Sequence, residues 1–171
     1  KTAVNTIPAG MQSTRRFQAL LVGDVGSGKT TVMHAASLYA VNAGHQAVIC
    51  APTEILAKQL YDVFMKSYEA MPLDDKHRIR PVLHASYHGR GAVAARRATI
   101  AGCADGSLNL IFGTHSVLNL DYADLSFVGI DEQHKFGATQ RDRLLTVRND
   151  GHMPDMLMQT ATPIPRSMAQ V

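Results

Sequence analysis

Short apolar runs alternate along this chain with segments whose apolar residues recur every three or four positions. The apolar runs predict strands at 18–22, 47–50, 80–85, 108–112, 125–130 and 156–159. The periodic segments predict helices at 29–42, from Thr53 to the residue before Pro72, and at 93–103. Short strands that alternate with amphipathic helices are typical of a mostly parallel sheet with helices on both faces. The sequence therefore predicts an α/β fold.

The same periodicity predicts which faces are buried. In the first helix the shared apolar face comprises Val32, Ala35, Ala36 and Tyr39, with Gly44 as the C-cap. In the second helix it comprises Leu56, Leu60, Val63, Phe64 and Ser67. The first strand, 18–22, is predicted to be buried, and Gly129 inside a later strand indicates close packing there.

Composition narrows the class of protein. Residues 1–14 are polar and small and include Pro8 and Gly10, which predicts a loose leader before a single domain at 15–171. The two cysteines, Cys50 and Cys103, lie in apolar or small surroundings with no CxxC spacing, so we expect reduced thiols in the core of a cytoplasmic protein. No uncharged apolar run approaches the length of about 18 residues that a membrane span needs. The net charge of +3 suits a nucleic-acid partner but equally suits an ordinary solvated surface.

The most informative motif follows the first predicted strand and reads Gly-Asp-Val-Gly-Ser-Gly-Lys-Thr over residues 23–30. Small residues at 26–28 let successive backbone N–H groups curve around an anion, and Lys29 adds a cation for the β- and γ-phosphates. Thr30 offers a hydroxyl to Mg²⁺ at the start of a helix. The motif predicts a phosphate-binding loop; the alternative is a glycine-rich turn without a ligand.

Polar clusters also follow four other predicted strands. They begin at Ala51, Gly113, Asp131 and Thr160. Ligands of open parallel sheets bind at the carboxyl ends of the strands, so we expect these clusters and the phosphate-binding loop to share one site.

Two adjacent carboxylates end the fifth predicted strand. Asp131 follows the buried pattern of Phe127, Val128 and Ile130 and can hold Mg²⁺ opposite Thr30, while Glu132 can polarise the attacking water. The alternative is that both acids only cap the turn that follows.

Together these residues resemble the first motor domain of superfamily-two helicases. The similarity lies in GDVGSGKT, APTEILAKQ, GTH, DEQH and TATPIPRS, and the combination of DEQH with TATPIPR is most similar to the RecG branch. The resemblance implies a RecA-like P-loop NTPase that binds ATP and Mg²⁺. The nucleotide would contact Gly23, Asp24, Val25, Gly26, Ser27, Gly28, Lys29, Thr30 and Thr31.

The resemblance also assigns the other roles. Glu132, Lys29 and His134 would be catalytic, with Thr30 and Asp131 as the metal ligands. DNA would contact Pro52, Thr53, Gly113, Thr114 and His115, although Thr53 is about equally well explained as a helix N-cap. Nucleotide state would be coupled to DNA through Gln133, His134, Thr160, Ala161 and Thr162.

The implied function is that of an ATP-dependent DNA helicase or translocase acting on branched DNA, such as stalled replication forks and recombination intermediates. A second RecA-like motor domain in the same full-length chain would supply an arginine finger, so we expect the isolated domain to hydrolyse ATP poorly. The alternatives are a translocase of the transcription-repair coupling type and a nucleotide-dependent DNA-binding module without turnover. A transporter ATPase is disfavoured because no LSGGQ-like segment precedes Asp131.

Overall fold

A computed structural model of the chain describes residue 11 and residues 17–24, 26–85, 91–132 and 153–160. The strands are β1 (Gln18–Val22), β2 (Gln46–Cys50), β3 (Pro81–His84), β4 (Leu110–Gly113), β5 (Leu125–Asp131) and β6 (Asp155–Thr160). The helices are α1 (Lys29–Asn42), α2 (Glu54–Glu69), the short α3 (Leu73–Lys76) and α4 (Ala92–Ala104), with a 3₁₀ helix at His115–Asn119. All six predicted strands and all three predicted helices are therefore present, whereas α3 and the 3₁₀ helix were not predicted.

The six strands form one sheet in the order β1-β6-β5-β2-β4-β3, and every neighbouring pair is parallel. All the carboxyl ends consequently lie at one edge of the sheet. β6 lies between β1 and β5, so the strand before the phosphate-binding loop is not hydrogen-bonded to the strand that ends in Asp131. The predicted α/β fold with a parallel sheet is confirmed.

The core has two layers because alternate residues of each strand face opposite sides of the sheet. On one side Ala47, Ile49 and Phe112 pack with α1 and α2. On the other side Val48 and Cys50 pack with Cys103 of α4 and with the 3₁₀ helix. Both cysteines are buried and form no disulfide, as predicted for core thiols.

The prediction that β1 is buried is wrong. Its side chains alternate, and Leu20 and Val22 are 40% and 48% exposed. Ala19 and Leu21 pack against the α1–α2 layer. Among the described residues, those of the opposite layer lie over the central strands and do not include Leu20 or Val22.

The buried face of α1 is rotated from the predicted one. Met33, Ala36, Ser37 and Ala40 are buried, whereas Val32, Ala35 and Tyr39 are only half-buried. The rotation places Met33 over Gly129 of β5, where an added Cβ would lie 2.8 Å from the Met33 Cγ, and this confirms the close packing at Gly129. The C-cap is Ala43, and Gly44 follows at a φ of 93°.

The buried face of α2 also differs from the prediction. Ala57, Leu60 and Phe64 are buried, while Val63 is 49% exposed and Ser67 is exposed. Spacings of three and four residues put Leu60 and Phe64 on the sheet side and leave Val63 at the flank of the stripe. Val63 instead lines the cleft described below.

The predicted leader at 1–14 lies outside the described residues except for Met11, which packs against the α1–α2 layer. Among the described helices, none combines the length and the apolar character that crossing a bilayer requires.

Candidate nucleotide-binding site

A cleft of about 470 Å³ opens at the carboxyl edge of the sheet. Its wall is built from the loop after β1, one side of α2, and the ends of β5 and β6. The residues that line it are Gly26, Gly28, Lys29, Thr30, Leu56, Gln59, Leu60, Val63, Asp131, Glu132 and Gln159. Four residues predicted from separate motifs, Lys29, Thr30, Asp131 and Glu132, are thus brought into one cleft.

The loop after β1 depends on two glycines. Gly26 and Gly28 have φ values of 80° and 83°, and apart from the adjacent residues no described residue has an atom within 4 Å of a Cβ built on either one. Glycine adopts this left-handed conformation without the steric cost that other residues incur. Gly28 is the N-cap of α1, and within the described part of the chain no side chain caps that helix end. The backbone N–H groups at the start of α1 therefore face a region where an anion is favoured.

The ammonium of Lys29 lies inside this loop. It donates hydrogen bonds to the carbonyl oxygens of Gly23 and Asp24, the latter at 2.7 Å, and lies 3.5 Å from the Ser27 Oγ. Ser27 N in turn donates to Asp24 O at 3.2 Å, which closes the turn. These contacts hold a positive charge at the centre of the loop.

Asp131 is the last residue of β5 and is partly withdrawn from water. Burial raises its pKa, and the nearby Glu132 carboxylate adds to the increase; the hydrogen bond from Gln159 and the charge of Lys29 oppose it. Lys29 is therefore close enough to act electrostatically on Asp131, although the two belong to different strand ends. The hydroxyl of Thr30 and the carboxylate of Asp131 are hard oxygen donors, which is the ligand chemistry that Mg²⁺ prefers.

Glu132 adopts an unusual backbone conformation. Its φ is 53°, and among the described residues it is the one non-glycine residue with positive φ. Such a conformation costs a residue with a Cβ roughly 1–2 kcal/mol. Strain of this kind occurs preferentially at functional sites, where surrounding structure maintains it.

The residues predicted to contact DNA lie further along the same edge. Pro52 and Thr53 follow β2, while Gly113 ends the neighbouring β4 and Thr114 and His115 follow it. The two ends are joined because Ala51 N donates to Gly113 O at 2.9 Å. Thr53 caps α2, since its Oγ1 accepts from Leu56 N at 3.3 Å. The capping interpretation of Thr53 is thus confirmed, and its DNA contact stays a prediction.

Five of the predicted site residues are not among the described ones. Val25, Gln133, His134, Ala161 and Thr162 lie outside the described residues. Thr31 is exposed on α1, and Thr160 is buried at the end of β6, where its carbonyl accepts from Gly23 N at 3.4 Å.

Sequence reasoning missed two parts of the cleft. One is the side of α2 formed by Leu56, Gln59 and Val63. The other is Gln159, whose carboxamide donates to Asp131 Oδ1 at 2.8 Å. A single glutamine in the otherwise apolar run Met-Leu-Met-Gln was the available signal.

Comparisons with known proteins show the family of this chain. Residues 2–171 match the DEAD/DEAH box helicase family. The chain is 42% identical over 165 residues to the ATP-dependent DNA helicase RecG of Acidithiobacillus ferridurans, and 40% identical over 169 residues to that of Streptococcus pneumoniae. These alignments cover 95% and 98% of this chain but only 22% and 23% of the two relatives. The chain therefore spans about a fifth of the length of the curated relatives it matches.

Solved structures give the same result for the fold. A structure of RecG bound to a three-way DNA junction superposes with a TM-score of 0.76 at 33% identity, covering 99% of this chain and 22% of that one. The DEAD-box helicase Mss116 bound to ssRNA and UDP-BeF gives 0.70 at 19% identity over 96% of this chain and 36% of that one. The predicted RecA-like fold is confirmed. Because the family match extends over nearly all of its residues, this chain belongs to the DEAD/DEAH box helicase family.

Proposed function

We propose that this chain is the first, ATP-binding motor domain of an ATP-dependent DNA helicase or translocase that acts on branched DNA, such as stalled replication forks and recombination intermediates. The observation that carries the proposal is the meeting of Lys29, Thr30, Asp131 and Glu132 in one cleft. The choice of branched DNA is supported by the relatives named RecG and by the three-way junction bound in one of their structures.

The phosphates of ATP bind in the loop over residues 23–31. The N–H groups around Gly26 and Gly28 donate to phosphate oxygens, and Lys29 exchanges its carbonyl partners for the β- and γ-phosphates.

Thr30 and Asp131 hold Mg²⁺, whose charge offsets that of the phosphates when it is bound. Glu132 orients the attacking water and accepts its proton. Asp131 still belongs to β5 whereas Glu132 has a left-handed backbone, so the two consecutive acids are held differently and can serve two different tasks. His134 lies in the segment after these acids and assists the catalytic step.

The DNA backbone contacts Pro52, Thr53, Gly113, Thr114 and His115 at the ends of β2 and β4. β5 separates this region from β6 and the phosphate-binding loop. Nucleotide state is transmitted between the two regions by Gln133, His134, Thr160, Ala161 and Thr162. A second RecA-like motor domain of the full-length protein closes over the nucleotide and supplies the arginine that stabilises transition-state charge.

The test uses the complete protein with a three-way DNA junction, a linear duplex of equal length, or no DNA. We expect ATP hydrolysis to be fastest with the junction. Glu132→Gln should lower hydrolysis by roughly 100-fold or more, since general-base catalysis contributes that much, and leave binding of the ATP analogue AMP-PNP nearly unchanged. Glu69→Gln, at the exposed end of α2, is the matched control and should behave as wild type.

Two outcomes would contradict the proposal. Wild-type protein that binds AMP-PNP but never hydrolyses ATP would be a binding module without turnover. Equal stimulation by the junction and the linear duplex would remove the preference for branched DNA.

A further inference from the structure

A buried glutamine lies beside the proposed metal ligand Asp131. Gln159 is 2% exposed, and the register of the sheet pairs it directly with Asp131 across β5 and β6. Side chains at paired positions of neighbouring parallel strands project from the same face of the sheet. The two polar groups therefore project together at the floor of the cleft, which both residues line.

The hydrogen bond between them fixes the orientation of the carboxamide. Gln159 Nε2 donates to Asp131 Oδ1 at 2.8 Å. A carboxylate oxygen accepts hydrogen bonds and a carboxamide oxygen cannot donate one, so the amide cannot be rotated by half a turn without losing this contact. The Oε1 atom of Gln159 consequently points away from Asp131 Oδ1.

That oxygen is buried and has no hydrogen-bond partner among the described residues. A buried acceptor without a donor costs roughly 1–3 kcal/mol. Gln46, a second buried glutamine, shows the usual arrangement: its Nε2 donates to two backbone carbonyls and its Oε1 accepts from Asp124 N. Both polar atoms of Gln46 have hydrogen-bond partners, whereas the Oε1 of Gln159 has none among the described residues.

We propose that Gln159 is a positioning residue of the nucleotide site: its Nε2 holds the Asp131 carboxylate in the orientation that binds Mg²⁺, and its Oε1 accepts a hydrogen bond from a water of the metal's hydration shell. This inference rests on the proposed function, because it requires Mg²⁺ at Asp131. Mg²⁺ in proteins keeps several of its waters, and these are strong donors. Partners of this outer kind orient the ligands themselves, and replacing them typically costs 10–100-fold in metal affinity or activity.

The test measures the binding of AMP-PNP to the complete protein by calorimetry, once with Mg²⁺ and once with EDTA. In Gln159→Met the side chain keeps its approximate size but loses both polar atoms. We expect its affinity with Mg²⁺ to fall about tenfold while its affinity in EDTA stays at the wild-type value. Gln159→Asn keeps the amide but is too short to reach Asp131, so it should show the same selective loss.

The matched control is Gln46→Met, which makes the same substitution at a buried strand position far from the cleft. It should lower the unfolding temperature and leave the effect of Mg²⁺ on AMP-PNP affinity intact. If either Gln159 variant retains the full benefit of Mg²⁺, or weakens binding equally with Mg²⁺ and EDTA, the inference is overturned. Wild-type protein that fails to bind AMP-PNP under both conditions would instead overturn the proposed function.

Discussion

The Lys29 ammonium and the Asp24 carbonyl oxygen are 2.7 Å apart, which holds the cation of the phosphate-binding loop at the loop's centre. A charged donor placed among backbone amides attracts phosphate oxygens strongly, because hydrogen bonds to charged groups are worth about 1.5–3 kcal/mol each. Nucleotide binding by this loop can be measured, and so can the effects of backbone strain, helix capping, glycine packing and histidine protonation elsewhere in the domain.

Lys29→Ala should weaken AMP-PNP binding by roughly tenfold or more, because one charged hydrogen-bond donor of the loop is lost. Lys29 is only half-buried, so the unfolding free energy should change little. Calorimetry checks the first expectation and urea denaturation the second. Lys58→Ala removes an exposed lysine that pairs with Asp62 on α2, and it serves as the control. Equal affinities of wild type and Lys29→Ala for AMP-PNP would contradict the assignment of Lys29 to phosphate binding.

The positive φ of Glu132 predicts a difference between two truncations. Glu132→Ala and Glu132→Gly both remove the carboxylate and should both abolish hydrolysis in the complete protein. Glycine also relieves the left-handed strain, so Glu132→Gly should be more stable than Glu132→Ala by about 1 kcal/mol. Urea denaturation of the two variants measures this difference. If the alanine variant proves the more stable one, the backbone at this residue is not strained.

Thr53 allows the capping role to be separated from a DNA contact. Thr53→Ala removes the acceptor for Leu56 N and should cost about 1 kcal/mol of stability. Thr53→Asp retains a good N-cap but adds a negative charge, so its stability should match wild type while its DNA affinity falls. Denaturation and fluorescence anisotropy with labelled DNA give the two readings. Undiminished DNA affinity in Thr53→Asp would leave Thr53 with its capping role alone.

Two glycines of the sheet should respond differently to alanine. A Cβ on Gly113 would lie 2.6 Å from the backbone carbonyl oxygen of His84, which cannot move without displacing β3. A Cβ on Gly129 would meet the flexible side chain of Met33. We therefore expect Gly113→Ala to cost about 3 kcal/mol or to prevent folding, and Gly129→Ala to cost clearly less. The reverse order in urea denaturation would refute this account of the packing.

His34 should make the domain sensitive to acid. Burial lowers the pKa of His34 from 6.5 to about 4, and its ring packs against Phe64 and Phe112. A lowered folded-state pKa means that the unfolded chain binds the proton more readily. The contribution of neutral His34 to the free energy of unfolding is therefore complete above pH 6.5. It is lost as the pH falls towards 4, and the loss is up to about 3 kcal/mol.

His34→Leu removes this titration. Its unfolding free energy should fall less than that of wild type between pH 7.5 and pH 4.5, as measured by urea denaturation at both pH values. Parallel pH profiles for the two proteins would show that His34 does not titrate on unfolding.

Much of the fold could be predicted because strands buried on both faces leave a strong local signal. β2 is buried at every position, and its apolar run is bounded by Gly44 and Pro52, so its limits were predicted to within one residue. The placing of polar clusters at one edge followed from the parallel topology alone. The contents of the site could therefore be assembled from motifs that lie far apart in the chain.

The missed features depend on pairing and packing rather than on local pattern. Hydrophobic periodicity does not specify strand order, so the position of β6 between β1 and β5 could not be deduced. The contact between Gln159 and Asp131 depends on that position and could not be deduced either. The rotation of α1 depends on Met33 fitting over Gly129, a relationship between two distant elements. The sequence pattern alone did not identify the buried face of α1, because this helix is apolar around most of its circumference.

The position of β6 also has a consequence for how the domain is assembled during synthesis. Among the described strands, β1 is hydrogen-bonded to β6 and to no other. On the ribosome, β1 emerges before the other described strands and has none of them to pair with until residues 155–160 have been made. The strand that precedes the phosphate-binding loop is thus paired by the last of the described strands to be translated.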